Sequence, residues 1–211
     1  LLLEHPHTYT FGRRGQAKNL IWDEHELVRR GIQVHWVDRG GDVTYHGPGQ
    51  LVGYPLLPLP TAGLHIETDG NAARIPQADY VGYVRKLEEV LIRALGLLDV
   101  TGQRISGLTG VWVQRSRASQ ALPLSGTAAE MAKIAAIGVK VDARGVTRHG
   151  FALNVNPDMS YWQGIIACGL EGSAVTSLAE RLSEPPNMAQ VVEAVMQSFC
   201  EVFGYTLSDP V

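Results

Sequence analysis

Cys168 and Lys133 are the side chains best suited to making and breaking covalent bonds. Cys168 sits in the turn Ala167-Cys168-Gly169-Leu170-Glu171-Gly172, where neighbouring backbone N–H groups can be free. Free amides lower a thiol pKa and stabilise an oxyanion. An inert loop thiol is the plainer reading of the same residues, and the spacing leaves both open. Cys200 falls inside an amphipathic helical pattern and reads as a small buried hydrophobe. Lys133 opens a run that is otherwise apolar and small through Gly138. A solvated strand-end lysine is the default there. Turned into a pocket beside Cys168, it would hold a thiolate or, partly desolvated, accept protons.

A second stretch, Asp38-Arg39-Gly40-Gly41-Asp42-Val43-Thr44-Tyr45-His46-Gly47-Pro48-Gly49-Gln50, sets four glycines and a proline among polar residues. Glycine at this density marks positive φ or the close approach of another group. Arg39, Thr44, Tyr45 and His46 add donors, charge and one titratable ring. A hairpin turn needs only about two such residues, so the stretch reads as a binding loop. The seven histidines and two cysteines show no HExxH or CxxC spacing, and His46 and His149 lie in different loops. No metal site and no cofactor are expected. Ser106, Ser125 and Ser173 carry no nucleophile-elbow pattern. His5 and His7 around Pro6, and the pair Arg13-Arg14, read as solvated surface groups.

The elements that must position these groups follow from periodicity. Leu1 to Gly12 reads as a strand ending in a glycine turn, and Ile21 to Gly31 as a short amphipathic helix closed by Gly31. Ile32 to Val37 alternates as a strand; the glycine loop follows, then a strand from Leu51 to Leu56. Thr61 to Gln77 has no period and reads as a loop. Ala78 to Leu98 is the strongest helix: Tyr80, Val81, Val84, Leu87, Leu91 and Leu95 form its apolar stripe, with Arg85, Lys86, Glu88 and Glu89 between them and Gly96 near its end. Gly110 to Gln114 is a strand, and Arg115 to Glu130 a polar insertion or flexible hairpin tip. Lys133 to Val141 and Phe151 to Val155 form an antiparallel pair across the turn Arg144 to Gly150. Thr176 to Arg181 makes a helical turn or two, and Asn187 to Phe203 a helix ended by Gly204. Hairpins with a few interposed helices indicate α+β or mixed α/β architecture.

The 211 residues, 45% hydrophobic and 18% charged, suit one globular domain. A net charge of −3 argues against nucleic-acid binding and favours a basic patch on any protein partner. No apolar run has the length of a membrane span, and two cysteines give no disulfide framework. A reducing cytoplasm is the expected compartment.

Taken in order, Arg39 to Gln50, then Lys133-Ile134-Ala135-Ala136-Ile137-Gly138, His149-Gly150-Phe151-Ala152-Leu153-Asn154 and Cys168-Gly169 resemble the lipoyl(octanoyl) transferases. The opening Leu3-Glu4-His5-Pro6 and Tyr9-Thr10-Phe11-Gly12-Arg13 fit the same pattern. The glycine loop alone would also suit lipoate ligases. The resemblance implies a mixed β-sheet flanked by helices, as in biotin/lipoate protein ligase catalytic domains. It implies one catalytic domain over 1–211, without the family's usual N-terminal helix and with 115–130 as a hairpin insertion. The implied reaction moves an octanoyl or lipoyl group from acyl carrier protein to a lysine of lipoyl domains, those of 2-oxoacid dehydrogenase complexes and the glycine cleavage H protein. Cys168 matches the acyl-thioester nucleophile and Lys133 its partner. Arg39, Gly40, Gly41, Asp42, Val43, Thr44, Tyr45, His46, Ala136, Ile137, Gly138, His149, Gly150, Phe151 and Ala152 match the substrate-binding segments. The chain departs from the family at Ala167, where proline is usual, and in the length of 115–130. Two other readings of the same residues are an ATP-dependent lipoate or biotin ligase and a silent acyl-binding protein.

Overall fold

The computed structural model describes residues 1–59, 80–115, 130–167 and 174–206. Two sheets carry the architecture. The larger has the order β1-β5-β9-β8-β7-β6, with β10 beside β8. Its strands are β1 (Leu2–Leu3), β5 (Gln50–Gly53), β6 (Gln103–Ile105), β7 (Leu108–Gln114), β8 (Met131–Val141), β9 (Thr147–Asn154) and β10 (Ala174–Val175). The smaller sheet has β2 (Thr8–Phe11) between β3 (Gln33–Trp36) and β4 (Val43–His46). Helix α1 (Glu24–Arg29) belongs with the small sheet, α3 (Leu178–Arg181) follows β10, and α2 (Tyr80–Leu97) packs against α4 (Met188–Phe203). Val90, Leu91, Ala94 and Leu95 of α2 meet Val191, Ala194 and Val195 of α4 over Leu51, Val111, Val113, Ile134, Ala135 and Leu153 of the large sheet. The mixed sheet flanked by helices is the expected class.

Several elements depart from their sequence reading. The opening strand is two strands in different sheets, divided around Pro6, which has no N–H to give a ladder. The glycine loop contains β4, whose Val43 and Tyr45 are fully buried. Strand β9 starts at Thr147, so the turn before it is shorter than Arg144 to Gly150 and bends at Gly145, φ +77°. Strand β6, polar and short, had no periodic signal. Helix α2 runs past Gly96, and its buried face is rotated from the expected stripe: Tyr80 and Val81 are exposed, while Tyr83, Glu88 and Val90 are buried. Glu88 tolerates burial because Arg85 at 2.6 Å, Arg104 at 3.2 Å and the Gly110 N–H at 3.1 Å satisfy its carboxylate. The readings for Thr61 to Gln77 and for the interior of Arg115 to Glu130 lie outside the described residues. The ends of the second segment meet, with Arg115 N–H donating to Glu130 O at 2.9 Å. Helix α4 follows its sequence signals: Asn187 and Gln190 form a reciprocal cap, and Gly204 closes it at φ +71°.

A buried polar relay joins the two sheets. Gln50, 1% exposed, donates through Nε2 to Tyr45 O at 3.1 Å and to Asn154 Oδ1 at 2.9 Å. Asn154 in turn donates to Thr176 O at 2.9 Å, and the Thr176 N–H donates to Lys133 O at 3.0 Å. The remaining Gln50 oxygen faces His46 Nδ1 at 2.9 Å. An amide oxygen only accepts, so Nδ1 carries the proton and Nε2 accepts from the Thr10 hydroxyl at 3.3 Å. His46 is therefore held neutral. Burial is the first cause that lowers its pKa, to about 4. The sign follows: above about 6.5 folded and unfolded rings are both neutral. As pH falls from there towards 4, the unfolded chain binds a proton that the fold refuses. Stability is lost over that window, by roughly 3 kcal/mol in all. Replacing His46 with glutamine is expected to flatten the pH dependence of unfolding free energy between about pH 6.5 and 4. Denaturant titrations at several pH values measure it, and an unchanged slope would contradict the assignment.

Candidate active site

A cavity of about 400 Å³ lies between the small sheet and the hairpin of β8 and β9. Its two walls follow from strand alternation. On β2 and β4, Tyr9, Phe11, Val43 and Tyr45 face an aromatic core. Thr8, Thr10, Thr44 and His46 face the cavity instead. Across from them, Val52, Ala136, Gly138, Gly150 and Ala152 supply an apolar wall. Gly138 and Gly150 are direct partners in the β8–β9 register. A Cβ on Gly138 would come within 2.9 Å of Gly40 O, and one on Gly150 within 2.1 Å of Gly53 O. Neither position admits a side chain unless that neighbouring backbone moves.

The glycine loop closes one end of the cavity. Arg39, only 8% exposed, donates through Nη1 to Gly40 O at 2.9 Å and through Nη2 to both the hydroxyl and the carbonyl of Thr10. The Gly40 N–H donates to Val139 O at 2.9 Å, so the loop is stitched to β8. Gly41 turns the chain at φ +91°. At the rim, the Asp38 carboxylate takes Lys140 on one oxygen and His149 Nε2, at 2.7 Å, on the other. Lys140 first, then His149, hold the Asp38 carboxyl below the usual carboxylate range.

Thirteen of the fifteen expected substrate-binding residues line this cavity, Val43 among them although it also belongs to the aromatic core; Gly40 and Tyr45 do not. Gly40 works through its backbone, and alternation turns Tyr45 into the aromatic core, 5.3 Å from the Tyr161 ring. The sequence reading missed His5, Thr8, Thr10, His35, Val37, Val52 and Tyr54, which also line it. His5 and His7 are not surface groups: His5 Nε2 meets the Tyr54 hydroxyl at 2.7 Å, and His7 Nδ1 meets that of Tyr45 at 2.9 Å. Their partners are remote in sequence, so only the β2, β4 and β5 alternation could have signalled them.

Lys133 stands on β8 outside the cavity lining, but on the same face of the sheet. Register explains this. Gln114, Val113 and Trp112 pair with Met131, Ala132 and Lys133, whereas Val111 pairs with Ala135. One residue of β8 is therefore extra. Ile134 and Ala135 both enter the core, and Lys133 and Ala136 share the opposite face although three residues apart. A bulge of this kind re-aims side chains. Lys133 Nζ lies over the Trp112 ring, 4.7 Å from its centroid. Cys168 lies outside the described residues. The chain on either side of it is anchored: Ile166 N–H donates to Asn19 O at 2.8 Å, and Val175 of β10 runs parallel to Lys133.

Residues 1–200 match the family model of the lipoyl protein ligase A/B catalytic domain. An octanoyltransferase of Chloroflexus aggregans is 44% identical over 203 residues, covering 96% of this chain and 79% of that protein. Another, from Acidobacterium capsulatum, is 44% identical over 207 residues, covering 97% and 77%. Among solved structures, a bipartite lipoate protein ligase from Thermoplasma acidophilum superposes with a TM-score of 0.66 at 15% identity, covering 99% of this chain and 72% of that one. Lipoate-protein ligase A bound with ATP gives 0.63 at 13% identity, covering 99% and 74%. At such identities the structural likeness speaks for the fold, and the relatives speak for the activity. The chain belongs to the lipoyl protein ligase A/B catalytic-domain family, as an acyltransferase that moves octanoyl groups in protein lipoylation.

Proposed function

We propose that the chain takes octanoyl groups from acyl carrier protein and passes them, through a thioester on Cys168, to the lysine of lipoyl domains. These acceptors are the lipoyl domains of 2-oxoacid dehydrogenase complexes and the glycine cleavage H protein. The observation that carries the reading is the bulge in β8, with Lys133 on the cavity face and β10 paired beside it. Exchange of one thioester for another is nearly isoenergetic, so loading needs no ATP. The Cys168 thiolate attacks the octanoyl carbonyl, and the departing pantetheine thiolate takes a proton from the Lys133 ammonium. Neutral Lys133 then accepts a proton from the acceptor lysine, whose reference pKa is about 10.4. The freed amine attacks the enzyme thioester, the amide forms, Cys168 leaves as thiolate and the amide nitrogen gives its proton to water. One proton is released in all. The acyl chain lies along Ala136, Gly138, Gly150 and Ala152, where each buried methylene contributes about 0.8 kcal/mol. Residues 1–211 act as one catalytic domain, and a thiol intermediate suits the reducing cytoplasm.

Octanoyl-acyl carrier protein without ATP or magnesium is expected to give an octanoyl-enzyme adduct in intact-mass spectra. The adduct should vanish in Cys168→Ser. An adduct of full mass that persists in Cys168→Ser would sink the thioester. Lys133→Ala should fold normally and lose transfer by a factor of about 10² or more; wild-type rates would remove the lysine from the mechanism. The acyl slot has its own test. Ala136→Leu is expected to cut octanoyl loading about tenfold while a butyryl donor still loads, and equal loss of both would place the acyl chain elsewhere.

A further inference from the structure

We infer that Trp112 is the positioning residue for Lys133, its indole face acting as the platform on which the lysine head group is held toward the acyl-transfer site. The inference rests on the assignment of Lys133 to the transfer chemistry. Three independent features of the fold converge on it. Trp112 and Lys133 are register partners on β7 and β8, directly before the bulge, so their side chains emerge on one face as a cross-strand pair. Trp112 is 1% exposed, and Lys133 Nζ stands 4.7 Å from the ring centroid. That is within the range over which a ring quadrupole attracts a cation, and a buried ring is little screened. Gly110 completes the seat. It has φ +113°, and a Cβ there would reach Ala135 O at 2.5 Å and Lys133 Cε at 3.5 Å. Its N–H is fixed by Glu88 of α2 at 3.1 Å. The lysine stem therefore runs between a ring and a bare stretch of backbone, and the helix layer holds that backbone.

This arrangement gives the ammonium a platform that an aliphatic side chain of equal bulk would not supply. It also assigns Trp112, which does not line the cavity, an effect on turnover without one on donor binding. The test is site-specific replacement of Trp112 by tryptophans of increasing fluorination, which thin the negative face of the ring and keep its shape. Turnover of octanoyl-acyl carrier protein is expected to fall stepwise, by about tenfold across the series, with KM for the donor unchanged. Trp112→Phe, which keeps an aromatic face, should retain more turnover than Trp112→Leu. Constant turnover across the fluorinated series, with Lys133→Ala inactive, would overturn the role of Trp112 and leave that of Lys133 standing. Wild-type turnover in Lys133→Ala would overturn both.

Discussion

The side-chain amide of Gln50 is the interaction on which the arrangement depends. It sits at the first residue of β5, where the small sheet hands the chain to the large one, and satisfies groups on both: Tyr45 and His46 on one side, Asn154 on the other. A buried amide left half-satisfied costs about 1–3 kcal/mol, so the network forms as a whole or is a liability. Its far end reaches Thr176 and, through that backbone, Lys133. The separation of the sheets, and with it the width of the cavity, is thus tied to the strand that carries the lysine.

The two faces of each cavity strand divide the work. On β2 and β4 the aromatic side holds the small sheet together, while the opposite side presents hydroxyls and one neutral imidazole. On β8 and β9 the core side packs under α2 and α4, and the cavity side is reduced to alanine and glycine at Ala136, Gly138, Gly150 and Ala152. Packing and ligand space therefore vary independently: altering one set of alternate residues need not disturb the other.

Where the sequence was legible, the cause was local. Asn187 and Gly204 bracket α4 because a cap and a left-handed residue are made by neighbours in the chain, and the apolar run from Lys133 announced β8. The glycine loop was marked by its own density of small residues, and Ala136 to Gly138 and Gly150 to Ala152 by the family resemblance; the fold brings all three to one cavity. What escaped notice depended on partners far away. Glu88 is buried only because Arg104 and Gly110 come to it; His5 and His7 are held by Tyr54 and Tyr45. Strand β4 does alternate, Val43 and Tyr45 in, Thr44 and His46 out, but four residues among glycines are too short a signal to outweigh them.

The bulge in β8 has a consequence for how such a site can arise. In a regular strand, odd and even residues never exchange faces, so no series of point substitutions could bring a lysine at position 133 onto the side of the sheet where Ala136 and Gly138 lie. Only a change in the number of residues does so. Loss of one residue that made β8 regular would therefore carry Lys133 to the core side of the sheet, away from Ala136 and Gly138.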